Sequence, residues 1–271
     1  MKGAALLAKA FARAAGEGRA ALIPYLVAGD PNLEVTGRAL LTLAHRGADL
    51  LELGIPHSDP LADGPVIQAA STRALAGGVT VDGIFSLLRE VTPRLGVPVV
   101  LLVYANTVFR RGVERFVREA AAAGAAGLII PDLPPEEGRE YIAAARRAGV
   151  ATVFLAAPTS TPERLRLVAS CSEGFLYCVS VTGVTGERRE VPPEALELLR
   201  RAREYTRLPL SVGFGLSRPE QVQVVARQAD GVIVGSAVVR VLHEAVQAGK
   251  EGAAEEAVGS LIEELRAATR K

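Results

Sequence analysis

The sequence predicts an α/β protein built as one (β/α)8 barrel, and three observations support this. Short, nearly continuous runs of Val, Ile, Leu and Ala recur along the chain, as in strands that are covered on both faces. Segments with helical spacing alternate with these runs, and the chain holds about eight such units, the number in a barrel. No linker or change of composition marks a boundary, so we expect residues 1–271 to form a single domain.

The predicted elements follow an amphipathic N-terminal helix, in which Leu7, Phe11 and Ala14 share one face. The predicted strands are Ala21–Ala28, Ala48–Leu53, Val97–Tyr104, Ala126–Pro131, Val150–Ala156, Phe175–Ser180, Leu208–Val212 and Gly231–Val234. The helices expected between them are Leu33–Arg46, Val81–Leu95, Val113–Ala123, Pro135–Ala148, Pro162–Ser170, Pro193–Tyr205 and Arg218–Gln228. Extra helices are expected after strand 2, at Val66–Leu75, and after strand 8, at Val238–Lys250 and Glu251–Arg270.

A doubly wound parallel sheet is the alternative to the barrel. Such a sheet usually carries a glycine-rich nucleotide fingerprint at its first strand-to-helix turn. That turn reads A-G-D-P here, from Ala28 to Pro31, which is not such a fingerprint. The turn therefore favours the barrel.

Composition excludes several classes of partner. Lys and Arg number 31 against 30 Asp and Glu, which argues against nucleic acid or an anionic membrane as the main partner. No apolar run approaches the ~20 residues of a membrane span. Cys171 and Cys178 have neither C-x-x-C nor zinc spacing, and no His/Asp/Cys cluster suggests a metal site. We expect reduced cysteines in a cytoplasmic protein.

The stretch from Leu50 to Pro65 carries the strongest candidate for catalysis. It begins as an apolar strand that contains one carboxylate, Glu52, and it continues into a loop with Asp59 and Asp63. A glutamate inside an apolar strand is costly to ionise, so its pKa should rise toward the range of a general acid–base. The alternative is a structural carboxylate that pairs with an arginine elsewhere in the core.

The loops after strands 7 and 8 suggest a phosphate site. Gly213 and Gly215 follow strand 7, and Gly235 with Ser236 would begin a helix whose N–H groups favour an anion. The alternative is that these are ordinary glycines of strand-to-helix turns. The segment Val181–Glu190 has the glycines and charged tip of a closing lid, or it is a surface loop without a role.

Two more strand ends leave a choice open. Asp132 ends strand 4, and Tyr104 with Asn106 ends strand 3. These side chains either line a site or fix the local turns.

Taken together, these motifs resemble the alpha subunit of tryptophan synthase over nearly the whole chain. The matching motifs are G-D-P at 29–31, L-E-L-G-I-P-H-S-D-P-L-A-D-G-P at 51–65, Y-A-N at 104–106, V-T-G-V-T-G at 181–186, G-F-G-L-S at 213–217 and G-S at 235–236. The second motif is highly specific, whereas the glycine motifs would be weak alone.

The resemblance implies a lyase that needs no cofactor in this subunit. Such an enzyme splits indole-3-glycerol phosphate by a retro-aldol reaction into indole and glyceraldehyde 3-phosphate. Carried over by motif, Glu52 would protonate the indole C3 and take the proton from the hydroxyl beside the breaking bond. Asp63 would accept the ring N–H, and Thr185 would hydrogen-bond Asp63. The remaining substrate contacts implied are Tyr25, Leu102, Ile129 and Tyr177 for indole, and Gly186, Gly215, Gly235 and Ser236 for phosphate.

The resemblance also implies a partner, the PLP-containing beta subunit in an α2β2 assembly. Pro56, Asp59 and Asn106 match positions expected to contact that subunit. His57 departs from the family, which usually has an aromatic residue such as phenylalanine there. This histidine either titrates near neutral pH or only replaces the packing of the ring.

Three other functions remain to be distinguished. A stand-alone lyase that releases free indole would use the same catalytic residues. A binding module that activates the beta subunit without catalysis would not need Glu52 and Asp63 intact. A related barrel with a catalytic lysine is disfavoured because Lys2, Lys9, Lys250 and Lys271 all lie near the termini.

Overall fold

The computed structural model describes residues 2–179, 191–213, 215–249 and 252–271, and it confirms the predicted barrel. All paired strands run parallel in one sheet, whose spatial order is β5-β4-β3-β2-β1-β9-β8-β7-β6. The strands are β1 (Ala21–Val27), β2 (Leu51–Gly54), β3 (Val99–Leu102), β4 (Ala125–Ile129), β5 (Ala151–Val153), β6 (Leu155–Ala156), β7 (Leu176–Val179), β8 (Leu210–Gly213) and β9 (Gly231–Val234).

The fifth predicted strand is divided in two at Phe154, which corrects the expectation of eight unbroken strands. The strand β5 pairs with β4, whereas β6 pairs with β7. Between them, the N–H of Phe154 donates to the Ser172 hydroxyl at 3.1 Å instead of to a neighbouring strand. Since β5 and β6 are consecutive in the chain, the two ends of the sheet meet there and the barrel closes.

Most of the helices cover the outside of the barrel. They are α1 (Gly3–Gly16), α2 (Leu33–His45), α3 (Pro65–Ala76), α4 (Val81–Leu95), α5 (Ala105–Arg111), α6 (Val113–Ala122), α7 (Arg139–Ala148), α8 (Pro162–Cys171), α9 (Pro193–Arg203), α10 (Pro219–Ala226), α11 (Ser236–Gln247) and α12 (Ala253–Ala268). The extra helices predicted after strands 2 and 8 are present as α3 and as the pair α11 and α12.

Two helix predictions need correction. The helix α5 was not predicted, because seven residues are too few to show a helical period. The helix α7 begins at Arg139 rather than at Pro135. The N–H of Gly138 donates to the carbonyls of Pro134 and Pro135, so this segment forms tight turns before the helix starts.

The helix α1 closes the N-terminal end of the barrel. Its Phe11 packs against Phe175 of β7, with ring centroids 5.5 Å apart. Gly231 provides the space, because a Cβ there would lie 2.8 Å from the Phe11 ring. The interior is thus filled at the end where the strands begin, and a site can form only at the end where they finish.

Within the described part of the chain, no helix has the length and apolarity to cross a membrane.

Candidate active site

A cavity opens at the carboxyl ends of the strands, and the residues predicted for catalysis and binding lie around it. The space measures about 400 Å³ including its open mouth. Each contributing element delivers its side chain at the same end of the barrel, as parallel strands require. The lining residues are Tyr25, Glu52, Asp63, Ile67, Leu102, Tyr177, Gly215, Ile233, Gly235 and Ser236.

Glu52 is the buried acid of this cavity. It lies on β2 opposite Tyr25 of β1 and is 1% exposed. Its Oε2 has no hydrogen-bond partner among the described residues. Burial, and secondarily the negative charge of Asp63, raises the pKa of Glu52 to about 8. A carboxyl with this pKa is largely protonated at neutral pH and can both donate and accept a proton.

The alternative of a structural ion pair applies to another acid, Asp49. The core arginine Arg19 donates both to Asp49 Oδ2 and, at 2.8 Å, to Asp49 Oδ1. The N–H of Leu22 adds a hydrogen bond of 2.9 Å to the same carboxylate. Asp49 lies three residues before Glu52, and its side chain is fully used, whereas Glu52 forms no ion pair within the described residues. Burial without a partner is the arrangement of a functional carboxyl.

Asp63 is the second carboxylate of the cavity and is 6% exposed. Burial raises the pKa of Asp63 to about 6, against a hydrogen bond from Tyr104 and the charge of His57, which lower it. The hydroxyl of Tyr104 donates to Asp63 Oδ2 at 3.1 Å. The pKa values of the two acids therefore differ, and near pH 7 the site favours a protonated Glu52 beside an ionised Asp63.

Two tyrosines, Tyr25 and Tyr177, line the cavity, and two glycines leave room for their hydroxyl groups. A Cβ at Gly54 would lie 2.1 Å from the Tyr25 hydroxyl, and a Cβ at Gly213 would lie 2.3 Å from the Tyr177 hydroxyl. Both tyrosines are buried, and the charges of Glu52 and Asp63 add to burial in raising their pKa values. Both hydroxyls therefore stay protonated, and their rings offer flat apolar surfaces to a ligand.

Gly215, Gly235 and Ser236, which were predicted to bind phosphate, line the same cavity as Asp63. Gly215 adopts a positive φ of 82°, a conformation that a side chain would strain. Gly235 is the N-cap of α11 and Ser236 is its first residue. The first N–H groups of such a helix have no partner within it and favour a negatively charged group.

Not every predicted site residue lies on the cavity wall. Ile129 is fully buried in the barrel interior but is not among the lining residues. Thr185 and Gly186 lie outside the described residues, as does the segment Val181–Glu190. Ile67 and Ile233, in contrast, line the cavity and were not predicted. The two-residue alternation of strand β9 carries a signal for Ile233, since it shares the inward face with Gly231.

The strand-end residues left open by the sequence have different roles. Asp132 accepts the N–H of Ala105 at 2.9 Å and so fixes the start of α5. Asn106 and Asp59 are exposed, whereas Pro56 is buried at the edge of a groove that Asn106 also lines. Among the described residues, no group of three His, Cys, Asp or Glu side chains could hold a metal ion.

Comparison with known proteins gives a consistent result. The family model of the tryptophan synthase alpha chain matches residues 11–270. The tryptophan synthase alpha chain of Gloeobacter violaceus is 49% identical over 261 residues, covering 96% of this chain and 92% of the relative. That of Rippkaea orientalis is 48% identical and covers 93% of both chains.

Solved structures of tryptophan synthase alpha subunits are similar to this chain over nearly its whole length. A chain of Mycobacterium tuberculosis tryptophan synthase in space group F222 superposes with a TM-score of 0.89 at 39% identity, covering 98% of both chains. Tryptophan synthase subunit alpha from Legionella pneumophila also gives a TM-score of 0.89, at 35% identity over 99% of this chain and 98% of that one.

Proposed function

The chain belongs to the tryptophan synthase alpha chain family, and we propose that Glu52 and Asp63 together carry the lyase reaction of that family. The enzyme cleaves indole-3-glycerol phosphate to indole and glyceraldehyde 3-phosphate, and it passes indole to the beta subunit for tryptophan synthesis. This subunit uses no cofactor of its own, because PLP belongs to the beta subunit.

In the proposed mechanism, Glu52 begins protonated and Asp63 begins ionised. Glu52 gives its proton to C3 of the indole ring, and Asp63 stabilises the positive charge that develops at the ring N–H. The Glu52 carboxylate then takes the proton of the side-chain hydroxyl next to C3. As the bond between C3 and the glyceryl carbon breaks, its electron pair restores the indole ring and the hydroxyl carbon becomes the aldehyde. Glu52 returns to its protonated form, so protons balance over the cycle.

The observation that carries this proposal is the environment of Glu52. It is a buried carboxyl whose pKa is raised to about 8 and whose Oε2 is unpartnered within the described residues, and it faces a cavity that contains a second carboxylate. The N-terminus of α11 borders the same cavity and suits the substrate phosphate. Intact acids with these properties count against a module that only binds the beta subunit.

The remaining substrate contacts follow from the cavity wall. We place the indole ring against Tyr25, Leu102 and Tyr177, and the phosphate at Gly215, Gly235 and Ser236, because these residues line the cavity. Ile129, Thr185 and Gly186 stay proposals that rest on the family motif alone. Pro56, Asp59 and Asn106 are proposed to contact the beta subunit, and exposed apolar side chains nearby in sequence support this surface, Leu61 at 77% and Phe109 at 53%.

Replacement of Asp63 by asparagine tests the proposed charge stabilisation. With the beta subunit in excess, we expect Asp63→Asn to lower kcat for indole release by about 10²- to 10³-fold, because the amide cannot neutralise the developing charge on the ring. The control is Glu34→Gln, a change of an exposed carboxylate on α2 that lines neither the cavity nor the proposed partner surface, and it should retain turnover. Equal activity of wild type and Asp63→Asn would contradict the assigned role.

We further propose that residues 1–271 form one domain in the cytoplasm. One continuous sheet supports the first statement, together with the pairing of Arg46 on the segment after α2 with Glu256 and Glu263 of α12. Two free cysteines, Cys171 and Cys178, support a reducing compartment.

A further inference from the structure

The hydroxyl group of Tyr104 forms two hydrogen bonds at the loop that carries Asp63. This hydroxyl donates to Asp63 Oδ2 at 3.1 Å, and it accepts the N–H of Ala62 at 3.1 Å. Tyr104 follows the end of β3 and is 4% exposed, so its ring is fixed by the barrel rather than by the loop that carries Asp63. One rigid side chain therefore orients both the carboxylate and the backbone beside it.

His57 in turn covers the ring of Tyr104. The two ring centroids are 4.9 Å apart, with an angle of 33° between the planes. The Nδ1 atom of His57 accepts the N–H of Asp59 at 3.0 Å. A nitrogen that accepts a hydrogen bond carries no proton, so this contact selects the ring with its proton on Nε2. The imidazole thus connects the fold of the loop to the position of the Tyr104 ring.

We propose that Tyr104 is a positioning residue for Asp63 and that His57 holds Tyr104 in place for this task. The inference rests on the proposed role of Asp63 in the reaction. With Oδ2 occupied by Tyr104, the other carboxylate oxygen remains for the N–H of the indole ring. Without the tyrosine hydroxyl, the carboxylate can rotate, and both its orientation and its proton affinity change.

The groups around Asp63 determine whether its pKa rises or falls when the Tyr104 hydroxyl is removed. A hydrogen bond to the ionised form lowers the pKa of a carboxyl, and here the Tyr104 hydroxyl opposes the effect of burial on Asp63. Loss of this hydroxyl, or of its fixed position, therefore raises the pKa of Asp63 further. The titratable groups that face Asp63 from the surrounding elements are Tyr25 of β1, Glu52 of β2, His57 of the loop, Tyr104 after β3 and Tyr177 of β7.

The test is the pH dependence of kcat/KM for indole release by Tyr104→Phe with the beta subunit in excess. We expect the acidic limb of the profile to move upward by about one pH unit, the size expected for one hydrogen bond to a charged group. Well below the pKa that sets the wild-type limb, this shift lowers kcat/KM by about tenfold. His57→Phe keeps a ring beside Tyr104 but removes the imidazole, and it should move the limb in the same direction by less.

Tyr141→Phe is the matched control. The Tyr141 hydroxyl is also buried and donates to the Leu128 carbonyl at 2.8 Å, but it lies outside the cavity. This variant should lose stability without moving the limb. If Tyr104→Phe and His57→Phe lower the rate equally at every pH, or leave it unchanged, both residues are only structural and the inference is wrong. Should Asp63→Asn retain wild-type turnover, the proposed function fails first.

Discussion

Glu52→Gln abolishes indole release while indole-3-glycerol phosphate still binds. The amide fits the same space, but it can neither protonate C3 of indole nor accept the proton of the hydroxyl. We expect kcat to fall by at least about 10²- to 10⁴-fold, the range for loss of a general acid–base, with a much smaller change in the dissociation constant of the substrate. Rapid-quench measurement of indole, combined with equilibrium titration of the substrate, separates the two quantities.

Thermal unfolding of Glu52→Gln distinguishes a loss of catalysis from a loss of folded protein. Burial raises the pKa of Glu52 to about 8, so the folded protein holds this proton more tightly than the unfolded chain does. Wild-type stability from this group is present at low pH and is lost as pH rises through the folded-state pKa. Glu52→Gln does not titrate, so it should unfold at a higher temperature than wild type above about pH 8. Full activity of this variant would make Glu52 a structural residue.

Asp49→Asn should cause the largest loss of stability. Arg19 is 4% exposed and depends on the Asp49 carboxylate, which is itself fully buried. The isosteric amide removes the buried counter-charge and leaves Arg19, among the described residues, with the carboxylate of Glu17, whose side chain is 44% exposed. Removing one partner of a buried pair costs about 3–5 kcal/mol of the free energy of unfolding. Urea unfolding, followed by circular dichroism, measures this loss.

A surface ion pair provides the control for Asp49→Asn. Glu34 pairs with Arg38 at 2.5 Å, but its side chain is 82% exposed, so Glu34→Gln should leave the unfolding midpoint unchanged. A change for Asp49→Asn as small as that for Glu34→Gln would show that Glu17 alone is a sufficient partner for Arg19. One cooperative transition in the wild type would also support the proposed single domain, whereas two separate transitions would contradict it.

The sequence was sufficient to predict the barrel, because the alternation of apolar strands and helices is a local pattern. The position of Glu52 within an apolar strand made it a candidate, and the family resemblance added Tyr25 and Tyr177, which line the same cavity. What the sequence left open depended on contacts across the barrel. Asp49 and Glu52 lie in one short stretch, and only the position of Arg19, thirty residues before Asp49, shows which acid is paired.

The other details that the sequence did not settle also depend on contacts between residues distant in the chain. The break at Phe154 results from a hydrogen bond to Ser172, which no strand pattern encodes. Ile129, which only the family resemblance suggested as a substrate contact, is buried in the barrel interior, and its role stays a proposal. Tyr104 was left as either a site residue or a turn residue, and its bond to Asp63 depends on how the loop folds back.

The pH dependence of indole release most directly tests whether Glu52 starts the reaction protonated and Asp63 ionised. The pKa values of about 6 for Asp63 and about 8 for Glu52 predict a bell-shaped profile of kcat/KM, with apparent limbs that belong to the coupled pair. Indole itself should be measured, so that titrating groups of the beta subunit do not affect the reading. A maximum between about pH 6 and 8 is the expected result. A rate that stays constant up to pH 9.5 would show that Glu52 acts in its ionised form from the start, and it would contradict the proposed mechanism.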